Sequence, residues 1–200
     1  WFIKYGADVN HRNLLGQTPL FAAAQKLNAP LCQFLLNHGA VNINEKDIEG
    51  NTPLQVVIKQ LTYATLTPSK TKELLLFLDF LITQGATVTN KNNNGETALF
   101  SAVLIEDRDI CTLLLSHGAN INEENTEGET PFTRKIKQIS FRKSFNAPFL
   151  EWLITQGVNI NHKNLHGITP LLLAIKSRNV PLCQFLLTHG ANTVGEPPFT

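Results

Sequence analysis

Three cysteines, six histidines and a run of glutamates are the residues of this 200-residue chain that could attack an electrophile, move a proton or hold a metal. A thiolate is the nucleophilic and metal-binding form of cysteine, and a zinc site needs ligands converging within a few ångströms. The spacing argues for neither. Cys32, Cys111 and Cys183 each stand seven residues before a glycine, and Leu78 and Leu150 occupy the same place before two other glycines. A position shared by Cys and Leu reads as a packing site in which cysteine serves as a small apolar residue. On helices stacked about 10 Å apart, cysteines two repeats apart would be about 20 Å from each other, beyond the reach of a disulfide or a shared ion. His38, His117 and His189 each precede one of those glycines, where an imidazole can bond the last carbonyls of a helix. His11 and His162 share a second repeated position, and His166 stands alone.

Glu123, Glu124, Glu127 and Glu129 cluster in a polar stretch and read as a solvated face, because paired acid–base carboxylates need a water-excluding cleft. The basic run Arg134, Lys135, Lys137, Arg142 and Lys143 follows directly. It is too short, and too poor in stacking aromatics, for single-stranded nucleic acid. Phe141 and Phe145 fall at helical spacing and are expected to anchor this segment to the core. No nucleophile elbow, phosphate loop or His-Glu-x-x-His motif is present. The reading is therefore no catalytic residue, no cofactor and no metal site: not an enzyme.

The elements that position these residues come from a repeat. Gly6, Gly39, Gly85, Gly118, Gly157 and Gly190 each follow an apolar pair and two polar residues, at intervals of 33, 46, 33, 39 and 33. A second signature joins a turn to a helix start in Gly16-Gln17-Thr18-Pro19-Leu20, Gly50-Asn51-Thr52-Pro53-Leu54, Gly95-Glu96-Thr97-Ala98-Leu99, Gly128-Glu129-Thr130-Pro131-Phe132 and Gly167-Ile168-Thr169-Pro170-Leu171. Threonine there can accept a bond from an orphan helical amide, and proline fits the first helical position because it has no bond to lose. The two long intervals carry insertions near 62–71 and 138–146, expected as surface excursions between the helices of their repeats. Arg134 and Lys135 replace small or apolar residues, so the fourth repeat is expected to be distorted or shifted in register.

These motifs resemble the ankyrin repeat family over essentially residues 1–192. The resemblance implies an all-α solenoid of stacked helix–turn–helix units with projecting hairpin-like fingers, about five repeats and a partial N-terminal one. It gives one repeat domain, 1–200, made of 1–15, 16–49, 50–94, 95–127, 128–166 and 167–192, with a tail at 193–200. The family's histidine after Thr-Pro-Leu is replaced by Phe21, Gln55, Phe100, Thr133 and Leu172, which predicts that a polar tie between repeats is missing. Trp1-Phe2-Ile3 reads as the end of a helix whose partner precedes it, so the chain is expected to be a piece of something longer.

By the same resemblance the chain is a protein-interaction module that docks a protein partner on its finger tips and first helices. Carried over by position, the finger residues are Leu14, Leu15, Ile48, Glu49, Asn93, Asn94, Glu127, Leu165 and His166. Gln17, Glu96, Glu129 and Ile168 follow the turn glycines, and Leu104, Ile105, Lys137 and Lys176 lie on the first helices. Leu104 and Ile105, flanked by Glu96 and Glu129, are expected to form an apolar anchor with a charged rim, against the alternative that they pack on a neighbouring repeat. The second reading is a targeting arm of a larger enzyme whose catalytic domain lies elsewhere. The family also implies that finger asparagines such as Asn10, Asn122 and Asn161 can be hydroxylated.

Composition bounds the setting. With 42% hydrophobic residues and a net charge of +1, the chain can build a core and has no general pull toward nucleic acid or anionic membrane. No apolar run is long enough to span a bilayer, and an odd, widely spaced cysteine set fits a reducing compartment. A monomeric, cytoplasmic protein is expected. Asparagine makes up about one residue in ten, which reads as the base composition of an AT-rich gene. Together with the resemblance, it suggests an effector that an intracellular bacterium delivers into a host cytosol.

Overall fold

The computed structural model describes residues 6, 8–39, 42–60, 68–142 and 145–193. Among them are ten helices and no strand, in five consecutive pairs. The first helices are α1 (Pro19–Gln25), α3 (Pro53–Gln60), α5 (Ala98–Ile105), α7 (Pro131–Ile139) and α9 (Pro170–Lys176). The second helices are α2 (Ala29–Asn37), α4 (Pro68–Thr83), α6 (Arg108–Ser116), α8 (Ala147–Thr155) and α10 (Val180–Thr188). Residues 1–3 and 194–200 lie outside the described set, as does the expectation placed on Trp1, Phe2 and Ile3. The chain divides into two compact units, Trp1–Ala119 and Asn120–Thr200, where the sequence reads as a single array. In the first unit α1 lies on α3, α3 on α5, and α4 on α6; in the second α7 lies on α9.

Most helices start where side-chain chemistry satisfies their first amides. Thr18, Thr130 and Thr169 accept from the amides of Phe21, Thr133 and Leu172. Thr97 makes no such bond, and its buried hydroxyl is without a hydrogen-bond partner. The second helices use a cap that the Thr-Pro signature does not announce. Asn28, Asp107, Asn146 and Asn179 accept from the amides of Leu31, Ile110, Phe149 and Leu182. Leu20, Leu54, Leu99, Phe132 and Leu171 sit at one repeat position and are all buried. Burying such a side chain contributes roughly 1.5–3 kcal/mol, so the stacked leucines and phenylalanines supply most of the cohesion. Leu172 and Ile175 of the last pair are exposed, because among the described residues no later repeat covers them.

Three sequence expectations change. The insertion near 62–71 is not all surface excursion: α4 begins at Pro68 and runs 16 residues, against nine in each other second helix. The fourth repeat is neither distorted nor re-registered. Lys135 is buried at the position of Ala23, Val57, Ala102 and Ala174, its stem in the core and its ammonium 2.7 Å from Gln138 Oε1. Phe141 does not anchor the 138–146 segment, being 85% exposed. Phe145 does, meeting Phe185 edge-on at 5.4 Å, while Asn179 Nδ2 donates to the carbonyls of Ser140 and Arg142.

Backbone geometry marks two positions where a substitution reads directly on stability. Gly50 has φ +78°, and a Cβ there would come within 2.7 Å of the Asn93 backbone nitrogen. Arg178 holds φ +55° just before the α10 cap, and its side chain is exposed. A left-handed L-residue costs about 1–2 kcal/mol relative to glycine. Gly50→Ala should therefore lower the unfolding free energy by about 2–3 kcal/mol, and Arg178→Gly should raise it by about 1 kcal/mol. Urea denaturation of the two variants checks both signs.

Candidate partner-binding surface

The fingers are built on one device used five times. Three residues before each turn glycine, Asn13, Asp47, Asn92, Asn125 or Asn164 turns its Oδ1 back to accept from the amides two and four residues later. Six residues before the turn glycine, a second carboxamide reaches the next repeat. Asn10, Asn44, Asn122 and Asn161 donate to the carbonyls of Gly39, Gly85, Gly157 and Gly190 at 2.9–3.0 Å. Three of them also accept a backbone amide there, from Thr87, Asn159 and Asn192. Adjacent finger tips share one main-chain bond each: Ile48 to Leu15, Asn93 to Glu49, and Leu165 to Glu127.

Cations tie the fingers further. Arg12 pairs with Glu45 and donates to the Lys46 carbonyl at 2.8 Å, and Lys46 Nζ donates to the Lys91 carbonyl at 2.7 Å. His162 Nε2 lies 2.8 Å from the Gly128 carbonyl. The expected missing tie after Thr-Pro-Leu is present in the second repeat, where Gln55 Nε2 donates to the carbonyls of Asn90 and Glu96. None of these roles shows in a residue's type alone; the regular offset from the turn glycine is the signal that could have revealed them.

The predicted surface residues separate into two kinds. In the first unit Leu14 is 99% and Ile48 62% exposed, and Leu15, Glu49, Asn93 and Asn94 are exposed as well. Leu15, Gln17, Ile48, Glu49 and Lys59 line a cavity of about 170 Å³ at the finger bases. Glu96 and Leu104 border a second, of about 160 Å³, together with Gln55 and Ser101. Leu104 and Ile105 are half-buried, and Leu104 is part of the wall of this recess. In the second unit Leu165, His166, Glu127 and Lys176 are exposed, and Ile168 and Lys137 are half-buried.

Glu129 departs from its expected place on a charged rim. It is 1% exposed, with Lys137 Nζ at 2.6 Å and Arg134 Nη1 at 3.6 Å. It holds the fourth finger onto α7 and is sealed from a partner. Lys137 also reaches Glu127 at 3.1 Å, repeating the Glu49–Lys59 pair at 2.9 Å in the second repeat. Hydrogen bonds from these lysines hold the Glu127 and Glu49 carboxyls below the ordinary range, and Glu129 and Glu49 raise the Lys137 and Lys59 ammonium groups. For each depressed carboxyl the stabilisation is present above its unfolded-state pKa and fades as the pH falls through the folded one.

The thiols and three of the imidazoles sit against their own helices or a neighbouring one. Cys32 and Cys111 are buried and Cys183 is half-buried, all three as free cysteines. Burial pushes the Cys32 thiol up to about 11 and raises Cys111 and Cys183 as well, away from a reactive thiolate. His38 and His189 stack on Phe34 and Phe185 and place Nδ1 at 2.7 and 2.8 Å from the carbonyls of those residues. His117, four residues after a leucine, instead approaches Asp79 at 3.8 Å.

The two lysine pairs differ in what is left behind when the cation is removed. Lys137→Met leaves Glu129 buried with a poorer partner and should cost about 2 kcal/mol, short of the full cost of breaking a buried pair because Lys137 is partly solvated. Lys59→Met leaves an exposed Glu49 and should cost less than about 1 kcal/mol. Chemical denaturation at neutral pH separates them; equal losses would contradict the burial difference.

The geometry of stacked pairs and fingers agrees with what the sequence matches. A family model described as ankyrin repeats (3 copies) covers residues 1–67 and 69–137, and one described as ankyrin repeat covers 166–194. An ankyrin repeat protein of fowlpox virus is 32% identical over 139 residues, 66% of this chain and 37% of that protein. Human inversin is 32% identical over 129 residues, and human neurogenic locus notch homolog protein 1 is 28% identical over 129; each alignment takes in 64% of this chain. The chain spans only 11% of inversin and 5% of the notch homolog, so these alignments cover small parts of long proteins. With family models matched over most of its length and helix pairs in the expected order, the chain belongs to the ankyrin repeat family.

Proposed function

We propose that this chain holds a protein partner against its finger ridge and the adjoining first helices, without performing chemistry on it. Ankyrin repeats mediate protein–protein interaction, and no helix among the described residues is long and apolar enough to cross a membrane. The observation that carries the reading is the row of apolar tips Leu14, Leu15 and Ile48, solvent-facing on fingers that a hydrogen-bond network holds still. Large side chains left in water on a fixed frame are the usual anatomy of a docking patch. Glu49 and Lys59 beside them supply a charged edge, while Leu104, Glu96 and Gln17 shape the recess behind. In the second unit Leu165, His166, Glu127, Ile168 and Lys176 form the corresponding surface. The residue bounds given above for the repeats, and a cytoplasmic setting suited to free thiols, belong to the same proposal.

A finer reading, an effector that an intracellular bacterium delivers into a host cytosol, rests on the asparagine content together with the family resemblance. The relatives named above come from a poxvirus and from mammals. A targeting arm of a larger enzyme uses the same surface and differs only in what is attached to it.

The test is a pair of exposed substitutions. Leu14→Asp with Ile48→Asp should reduce partner capture, read by quantitative mass spectrometry from cell extract, by about tenfold or more. Its melting temperature should stay within about 2 °C of the parent, since neither side chain is in the core. Unchanged capture with both tips charged would reject the finger ridge as the docking site.

A further inference from the structure

The segment joining α7 to α8 is tied down on one side and bare on the other. Asn179 is buried, and its Nδ2 donates to the carbonyls of Ser140 and Arg142 at 3.1 and 2.6 Å. Its Oδ1 accepts from the Leu182 amide, so the same side chain fixes the start of α10. Ser140 Oγ donates to the Ile136 carbonyl at 2.7 Å, the Arg142 amide bonds back to Ile139, and Phe145 packs on Phe185. Between these anchors Phe141 stands 85% exposed, and Val180, which follows Asn179, is 61% exposed. A lone apolar side chain in water needs no explanation. One displayed on a pinned backbone, among charges of a single sign, does. From Thr130 to Gly195 the chain has eight lysines and arginines and one acid, Glu151. Lys135 is buried against Gln138, and Arg134 and Lys137 face Glu129, so those three are turned away from this tip. Arg142 follows Phe141, Arg178 precedes Asn179, and Lys176 ends α9. All three are exposed, and among the described residues none is paired with a carboxylate.

We propose that this tip binds an anionic lipid surface. Phe141 and Val180 enter the headgroup layer, while Arg142, Arg178 and Lys176 lie against the lipid phosphates and carboxylates. Charge complementarity selects the occupant's sign, and the shape of the tip selects its kind. A protruding ring has no pocket of its own, so a folded protein would have to bring a matching cavity rimmed with acids. A bilayer yields to the ring and supplies the negative charge without any such match. Nucleic acid would meet one aromatic ring and no succession of stacking platforms. Lipid attachment by short elements takes an apolar insertion together with a basic patch, and the tip carries both. Each cation near an anionic leaflet strengthens binding about fivefold, so three give about a hundredfold, falling as salt screens them. The finger residues take no part in this contact.

The experiment sediments the full chain with vesicles of phosphatidylcholine alone, or of phosphatidylcholine with about 30% phosphatidylserine. Binding to the anionic vesicles should be at least about tenfold tighter than to the neutral ones. Arg142→Glu with Arg178→Glu should remove that preference, and Phe141→Ala should weaken anionic binding about fivefold. The emission of Phe141→Trp, read against the parent chain with its own Trp1 and Trp152, should shift to the blue on anionic vesicles and stay unchanged on neutral ones. Leu14→Asp with Ile48→Asp should leave vesicle binding intact, which separates this tip from the finger ridge. The substituted side chains are exposed, and circular dichroism confirms that the variants keep their helices. Four results would overturn the proposal: equal binding to both vesicles, anionic binding indifferent to the charge reversals, no blue shift for Phe141→Trp, or tighter binding to a polyglutamate peptide or oligouridylate than to the anionic vesicles.

Discussion

Among the described residues, no helix pair covers its own apolar side chains without a neighbour. Leu20, Leu54, Leu99, Phe132 and Leu171 occupy one position in five successive units, and each is buried. Within each unit of the chain, the stacking of α1, α3 and α5, or of α7 and α9, provides the cover. Everything else in the molecule is arranged around keeping that stacking in register. Cysteine fits into the same logic: Cys32 and Cys111 share a buried position with Leu78 and Leu150, so their thiols serve packing and not reactivity.

Between the helices the backbone has no ladder to join, and its amides must be satisfied one at a time. Carboxamides do most of this, with Asp47 and Asp107 in two of the places. One set folds each finger tip onto itself, another reaches across to the next repeat, and a third caps the second helices. Many of the chain's asparagines therefore have a place in the fold. Asparagine suits these places because it carries both a donor and an acceptor and tolerates turn conformations.

The architecture was legible because its signals are local: a threonine and a proline at a helix start, a glycine at a helix end, and a fixed distance between them. The surface was less legible. Leu14 and Ile48 are apolar at turn positions, which is enough to predict exposure. Glu129 follows a turn glycine as Glu96 does, yet Lys137 and Arg134 close over it, and only the fold brings those cations together. Lys135 illustrates the same limit from the other side, since a long stem can fill the place of an alanine when its head finds a neighbour. Phe141 and Phe145 obey one periodicity but end in opposite environments, because a helix-period argument fails where α7 has already stopped at Ile139.

The carboxamide bridge has a consequence beyond stability. Asn10, Asn44, Asn122 and Asn161 each grip the glycine carbonyl of the following repeat with the same atoms at nearly the same distance. Couplings of one pattern make the pieces interchangeable, like railway wagons with a common hook. The third finger carries Thr89 at this place, so that joint lacks the hook.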